Sequence, residues 1–168
     1  MLTPAEVRSR CRTDAEASFE RLQGAAASGD PDEIRRSLAG VLGDLYRWRV
    51  FECRAMSETT GTVVKHFGGI SSEGELLEGL ILWRDIAEHH PEQLVELRHY
   101  PLVPSPDLTT SAHLYTGHNL CIVRAEEEPQ RISEERRPRR EVFRDRVAGK
   151  PLLPIVERCI TFLGGLTS

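Results

Sequence analysis

Lysine is almost missing from this 168-residue chain: of 22 basic side chains only Lys65 and Lys150 are lysines, and the other 20 are arginines. Such a bias accords with a GC-rich genome, although arginine is also the better phosphate ligand. Excess positive charge is missing too. With 26 acidic residues the chain carries a net charge of -4, which argues against a general DNA-coating role, because non-specific duplex binding is driven by neutralising phosphates. The four cysteines, Cys11, Cys53, Cys121 and Cys159, lie far apart with no C-x-x-C pair, a spacing that disfavours zinc ribbons and redox motifs. They are expected to act as small buried hydrophobes. No apolar run approaches the ~18 residues of a membrane-spanning helix. The first residues lack the basic patch and apolar core of a secretory signal, so a cytoplasmic location is expected. Gly-rich phosphate loops, a G-x-S-x-G elbow, Walker-type sequences, internal repeats and low-complexity tracts are all absent. What is present is ordinary for a globular protein: 39% hydrophobic and 29% charged residues, in a length that suits a single domain, 1–168.

Helix signals dominate. Thr3-Pro4-Ala5-Glu6 offers a cap, a proline suited to the first helical position and a glutamate able to close a capping box. Behind it Val7, Cys11, Ala15, Phe19, Leu22 and Ala26 recur every three or four residues until Gly29. Asp30-Pro31-Asp32-Glu33 repeats the start signal, and Ile34, Leu38, Val41, Leu45, Trp48 and Ala55 form a second, longer stripe. A connection so short predicts that the two helices pack antiparallel.

Residues 57–72 are rich in Gly, Ser and Thr and suit a connection, with room for one helical turn around 63–66. Ser72 with Glu75 can cap a third helix that carries Leu76, Leu77, Leu80, Ile81, Trp83 and Ala87 to His89-His90-Pro91, where proline stops or kinks it. A further short helix is expected over 92–99, followed by a proline-rich loop. Residues 112–125 contain two short β-rich runs around a Gly-containing turn, the expected small hairpin. Residues 126–146 are dense in charge, and 151–165 form a last amphipathic helix with Leu152, Leu153, Ile155, Val156, Cys159, Ile160 and Phe162. The expected fold is mainly α: an antiparallel helical bundle with a small β-hairpin insertion.

The most suggestive string is Leu80-Ile81-Leu82-Trp83-Arg84-Asp85-Ile86-Ala87-Glu88-His89-His90. It resembles the R-x4-6-H signature of HEPN-domain proteins, and within that superfamily the Abi-type variant, roughly R-N-x-x-A-H-H. The strict match covers about a dozen residues, and the helical organisation of roughly the first 100 is similar. The resemblance implies an all-helical dimeric fold and, in active members, metal-independent RNA cleavage in toxin–antitoxin or phage-defence settings. It gives Arg84 the charge that grows on phosphorus, His89 the principal acid/base role, Asp85 the orientation of His89, and His90 an assisting or substituting role.

These residue types suit that chemistry. Cleaving RNA without a metal requires activation of the 2′-hydroxyl, protonation of the leaving oxygen and a cation facing the phosphorus. Imidazole titrates near neutrality and guanidinium grips phosphate through two parallel hydrogen bonds. At 100° per residue, however, His89 lies about 140° round the helix from Arg84 and His90 about 120° the other way. Either the last turn loosens before Pro91, or Arg and His from two subunits converge across a symmetric dimer. The resemblance implies the second. Asp85 stands four residues before His89, within reach of its imidazole. Glu88 stands four after Arg84, where the family has a small residue, and can occupy the guanidinium. The plainer reading of the same residues is a surface Arg84–Glu88 ion pair with His89 and His90 as a polar helix end.

Between 131 and 146, Arg131, Arg136, Arg137, Arg139, Arg140, Arg144 and Arg146 face Glu134, Glu135, Glu141 and Asp145, seven positive charges against four negative, or +3. This is the one marked basic stretch. Arg136, Arg137, Arg139 and Arg140 are therefore the candidate contacts to an RNA backbone, with a solvated charged helix or linker as the alternative. His66, His99, His113 and His118 show no H-x-x-x-H pairing, so no metal site is expected, and no cofactor. His113 and His118 are placed at the hairpin turn, and Tyr115 as a cross-strand aromatic. The expected partners are RNA, a second copy of the chain and a cognate protein, with no membrane. A rival reading is a non-enzymatic helical interaction protein, an antitoxin, immunity or regulatory partner. A third is a non-cleaving RNA- or nucleotide-binding relative.

Overall fold

The computed structural model describes residues 2–89, 96–98, 119–121, 137–148 and 150–166, and for Trp83, 85–89, 96–98, 119–121 and Arg137 the backbone alone. Helix α1 spans Pro4–Ser28. Its capping box forms as the sequence predicts: the Thr3 hydroxyl accepts from the Glu6 N–H at 3.3 Å, and the Glu6 carboxylate accepts from the Thr3 N–H at 2.7 Å. Gly29, at φ 74°, ends the helix in a left-handed conformation that a side chain would strain. Helix α2 covers Pro31–Thr60, its start capped by Asp30, whose Oδ1 accepts from the N–H groups of Asp32 and Glu33 at 2.8 and 3.2 Å.

The two helices are antiparallel. Arg8 reaches Glu52 and Ser18 reaches Asp44, so rising numbers on α1 meet falling numbers on α2. Along this pair the expected stripes face inward, with Ala15, Phe19, Leu22 and Ala26 of α1 and Ile34, Leu38, Val41, Leu45 and Trp48 of α2 all buried. Val7, Cys11 and Ala55, at the outer ends of the stripes, are only partly covered.

The connection to the next helix differs from expectation. Helix α2 runs on to Thr60, and residues 63–67 form no helical turn. Side chains take the place of helical hydrogen bonds: the Ser57 hydroxyl accepts from the Val64 N–H at 2.8 Å, Arg49 donates to the Lys65 carbonyl at 2.9 Å, and Glu78 accepts from the Phe67 N–H at 2.9 Å. With its backbone satisfied from outside, and with β-branched Val63 and Val64, the segment gains nothing by coiling.

Helix α3 spans Ser72–His89. Its cap lies one residue earlier than expected, for the Ser71 hydroxyl accepts from the Gly74 N–H at 3.0 Å. Ser72 and Glu75 instead meet Arg146. Leu76, Leu77, Leu80, Ile81 and Leu82 are buried. Strand β1, Glu96–Arg98, pairs antiparallel with β2, Asn119–Cys121, with Leu97 opposite Leu120. Where a helix is expected over 92–99, residues 96–98 are strand instead: eight residues are too few to hold a helix alone, and β2 supplies backbone partners. Of the hairpin expected over 112–125 only 119–121 is described, and its partner there is 96–98; the rest, with His113, Tyr115 and His118, lies outside the described residues, as does His99.

The chain returns as α4, Arg137–Val142, followed directly by a π-helical turn, Phe143–Val147, and ends in α5, Leu152–Gly165. Helix α4 and the π turn pack on α3, where Gly79 permits the close approach: a Cβ there would lie 3.0 Å from Val142 Cγ1 and 3.2 Å from the Phe143 backbone nitrogen. Helix α5 packs against α1, α2 and α3 and buries Leu152, Leu153, Ile155, Val156, Cys159, Ile160 and Leu163. Phe162 meets Phe67 edge to face at 5.5 Å. The described residues are thus mainly helical. None of the helices among them is long and apolar enough to cross a membrane.

Candidate functional site

Helix α3 carries the string singled out in the sequence, and its register is set by charge as well as by leucines. Glu78 is 1% exposed, yet each of its oxygens is occupied. Oε1 accepts from Arg49 Nε at 2.7 Å and from the Phe67 N–H at 2.9 Å, and Oε2 accepts from Arg49 Nη2 at 2.9 Å and lies 3.3 Å from Arg139 Nε. One carboxylate so joins α2, the 61–71 connection, α3 and α4. Burial pulls the Arg49 pKa down, but the hydrogen bonds and charge of Glu78 outweigh it and the net shift is upward, so Arg49 stays charged.

Two more buried acids brace α1 against α2. Glu52 accepts from Arg8 Nε at 2.9 and 3.1 Å and from the Trp48 indole at 3.1 Å. Asp44 accepts from the Ser18 hydroxyl and from Arg47. Among the described residues no buried side-chain nitrogen or oxygen lacks a hydrogen-bond partner. These acids hold the scaffold and are already saturated, which does not suit proton transfer to a ligand.

Six residues beyond Glu78, Arg84 is half-buried and its guanidinium carbon sits 4.4 Å from the centre of the Tyr46 ring on α2. Positions 77, 80 and 81, seven, four and three residues before it, are buried leucines and isoleucine, so Arg84 continues the core-facing stripe toward the helix end. The backbone of α3 remains helical through His89. Arg84 and His89 are therefore separated by about 7.5 Å along the axis and about 140° around it, and the turn that Pro91 is expected to loosen lies, from His90 on, outside the described residues. The side chains of Asp85, Glu88 and His89, and all of His90 and Pro91, lie outside the described residues.

The basic segment is less free than its sequence suggests. Arg139, 25% exposed in its side chain, turns onto Glu78. Arg146 donates to the Ser72 carbonyl and hydroxyl at 3.0 and 2.9 Å, and Arg144 pairs with its neighbour Asp145 at 2.7 Å. Arg140 is half-buried on α4, Arg137 opens that helix, and Arg136 lies outside the described residues. Cys53 and Cys159 are buried and Cys11 partly so, all three as free thiols, in line with their expected role as small hydrophobes. Among the described residues no group of three or more His, Cys, Asp or Glu is placed to hold a metal ion.

Sequence reasoning missed Tyr46, Arg49, Glu52 and Glu78. A signal for the last was available: a glutamate set within the apolar run Leu76 to Leu82 must find partners if that run is buried. Comparison of the chain with protein-family models, with curated proteins and with solved structures gives no match to any of them.

Proposed function

We propose that the chain is a single HEPN-like helical domain with a β-hairpin insertion, acting as a dimeric, metal-independent endoribonuclease of the cytoplasm in a toxin–antitoxin or phage-defence setting. The observation that carries this reading is the course of α3. It holds Arg84 half-buried at the end of the core stripe and stays helical through His89, which sets these two residues apart on one helix and so favours a pair formed between two copies of the chain.

In such a site His89 of one copy removes the 2′-hydroxyl proton, the 2′-oxygen attacks phosphorus, and Arg84 of the other faces the charge growing on the non-bridging oxygens. The 5′-oxygen leaves with a proton from imidazolium, giving 2′,3′-cyclic phosphate and 5′-hydroxyl ends. Asp85 orients His89, and His90 assists or substitutes. Arg136, Arg137 and Arg140 extend the contact along the RNA backbone. Arg139 contributes less, because Glu78 neutralises it.

The test is complementation between inactive copies. Arg84→Ala and His89/His90→Ala proteins are each expected to be inactive, while a mixed dimer retains one intact pair and recovers up to half of the activity. If the mixture stays as inactive as its parents, Arg84 and His89 do not combine across a dimer.

A second reading is favoured by the inward turn of Arg139 and Arg146 onto α3, which leaves less basic surface for RNA. It is a non-catalytic helical partner for a cognate protein. Expression in a bacterial host separates the two: growth arrest that depends on Arg84 and His89/His90 supports the ribonuclease, and unaffected growth supports the interaction protein.

A further inference from the structure

We infer that Tyr46 is the positioning residue for Arg84, holding its guanidinium over the ring where it meets an RNA phosphate; this rests on the ribonuclease reading above for the identity of the anion. The Arg84 guanidinium carbon is 4.4 Å from the Tyr46 ring centre, inside the distance at which a ring face attracts a cation. The ring is itself held. Tyr46 packs against the core from α2, and Arg49, three residues on and on the same side of that helix, is clamped to Glu78 of α3 at 2.7 Å. The Arg49–Glu78 clamp and the Tyr46–Arg84 stack thus follow each other along one antiparallel helix pair, and the first fixes the register of the second.

Attraction to the ring acts on the cation as a whole, and arginine grips a phosphate through two parallel N–H bonds in the guanidinium plane, so a ring that fixes the place of the cation fixes where that grip is offered. The stack also removes much of the side chain's rotamer freedom before an anion arrives, a cost that binding then no longer meets. Tyrosine and phenylalanine serve this role alike, because the contact is to the ring face and not to the hydroxyl. An aliphatic residue of similar bulk keeps the packing and loses the stack.

The experiment measures affinity for an uncleavable 2′-O-methyl RNA at fixed low salt, and cleavage of unmodified RNA in EDTA, with thermal melting to confirm folding. The proteins are wild type, Tyr46→Phe, Tyr46→Leu, Tyr46→Met, Arg84→Ala and Tyr46→Leu/Arg84→Ala. Tyr46→Phe is expected to bind within about two-fold of wild type, and Tyr46→Leu and Tyr46→Met to bind about 3- to 10-fold more weakly. In the Arg84→Ala background Tyr46→Leu is expected to change nothing further. Equal losses in both backgrounds, or no loss in either, would overturn the inference. Failure of the wild type to cleave, with the coupling intact, overturns the ribonuclease reading alone and leaves Tyr46 positioning Arg84 for RNA binding. Failure of the wild type to bind RNA overturns both.

Discussion

Arg49 closes on Glu78 through two hydrogen bonds of 2.7 and 2.9 Å in the interior of the bundle, tying the middle of α2 to the middle of α3. A buried ion pair contributes little net stability compared with well-packed apolar residues, yet breaking one is severe, because the remaining charge is left without a partner. Glu78→Leu is therefore expected to destabilise the protein by about 3–5 kcal/mol in urea unfolding. Adding Arg49→Met is expected to recover part of that loss, the rest reflecting the Phe67 N–H and Lys65 carbonyl left unpaired. A Glu78→Leu protein as stable as wild type would contradict this picture of the interior.

Two glycines in helices should respond to alanine with opposite signs. At Gly24 in α1 a Cβ meets nothing within 4 Å, so Gly24→Ala is expected to add up to about 1 kcal/mol through helix propensity. At Gly74 a Cβ would stand 2.6 Å from the Phe67 carbonyl oxygen and 3.0 Å from its Cβ. Backbone cannot yield cheaply, so Gly74→Ala is expected to cost about 1–3 kcal/mol. Paired chemical unfolding curves check both signs at once.

How much of this was legible beforehand depends on whether the signal was local. The starts of α1 and α2 were written in Thr3, Glu6 and Asp30 because a cap is a contact between residues two or three apart. The antiparallel α1–α2 pair followed from a connection too short for anything else. The α3 cap lies one residue before the one that Ser72 and Glu75 indicate, since Ser71 and Ser72 are equivalent in sequence and only Arg146, 74 residues away, draws Ser72 into another role. The inward turn of Arg139 was hidden for the same reason: a charge run has a sign in sequence, but its partner Glu78 sits 61 positions upstream. At the site, Arg84 and the helix through His89 were readable, and Tyr46 was not, because nothing local marks which α2 side chain faces α3.

The thiols provide a probe of α5. Burial pushes the Cys159 pKa up to about 12, so thiolate is scarce near neutrality and the sulfur is covered as well. Iodoacetamide at pH 8 is expected to leave Cys159 unmodified in the native protein and to label it only after unfolding, as followed by peptide mass mapping. Partly covered Cys11 is expected to react sooner. Labelling of Cys159 at the rate of a free peptide thiol would contradict the packing of α5.

Acid should loosen the start of α2. The Asp30 pKa is lowered by the backbone N–H groups of Glu33 and then Asp32, which favour its charged form in the folded state. A depressed folded pKa gives stability that is full above the unfolded carboxyl value, about 3.9, and is lost as pH falls through the lower folded one. Asp30→Asn keeps a capping acceptor without the titration. The stability difference between wild type and Asp30→Asn is expected to favour wild type near pH 6 and to shrink as pH drops through this range. A difference independent of pH would show that the Asp30 charge adds nothing to the cap.

If Arg84 and the His89-His90 pair cleave RNA without a metal, as proposed, a mixed RNA pool incubated with the purified protein in EDTA shows it without an intermediary. Beside the wild type stand Arg84→Ala and His89/His90→Ala. Cleavage that leaves 2′,3′-cyclic phosphate ends and disappears in both variants is the expected result. Intact RNA with a folded, dimeric wild type, or cleavage that persists in both variants, would contradict it.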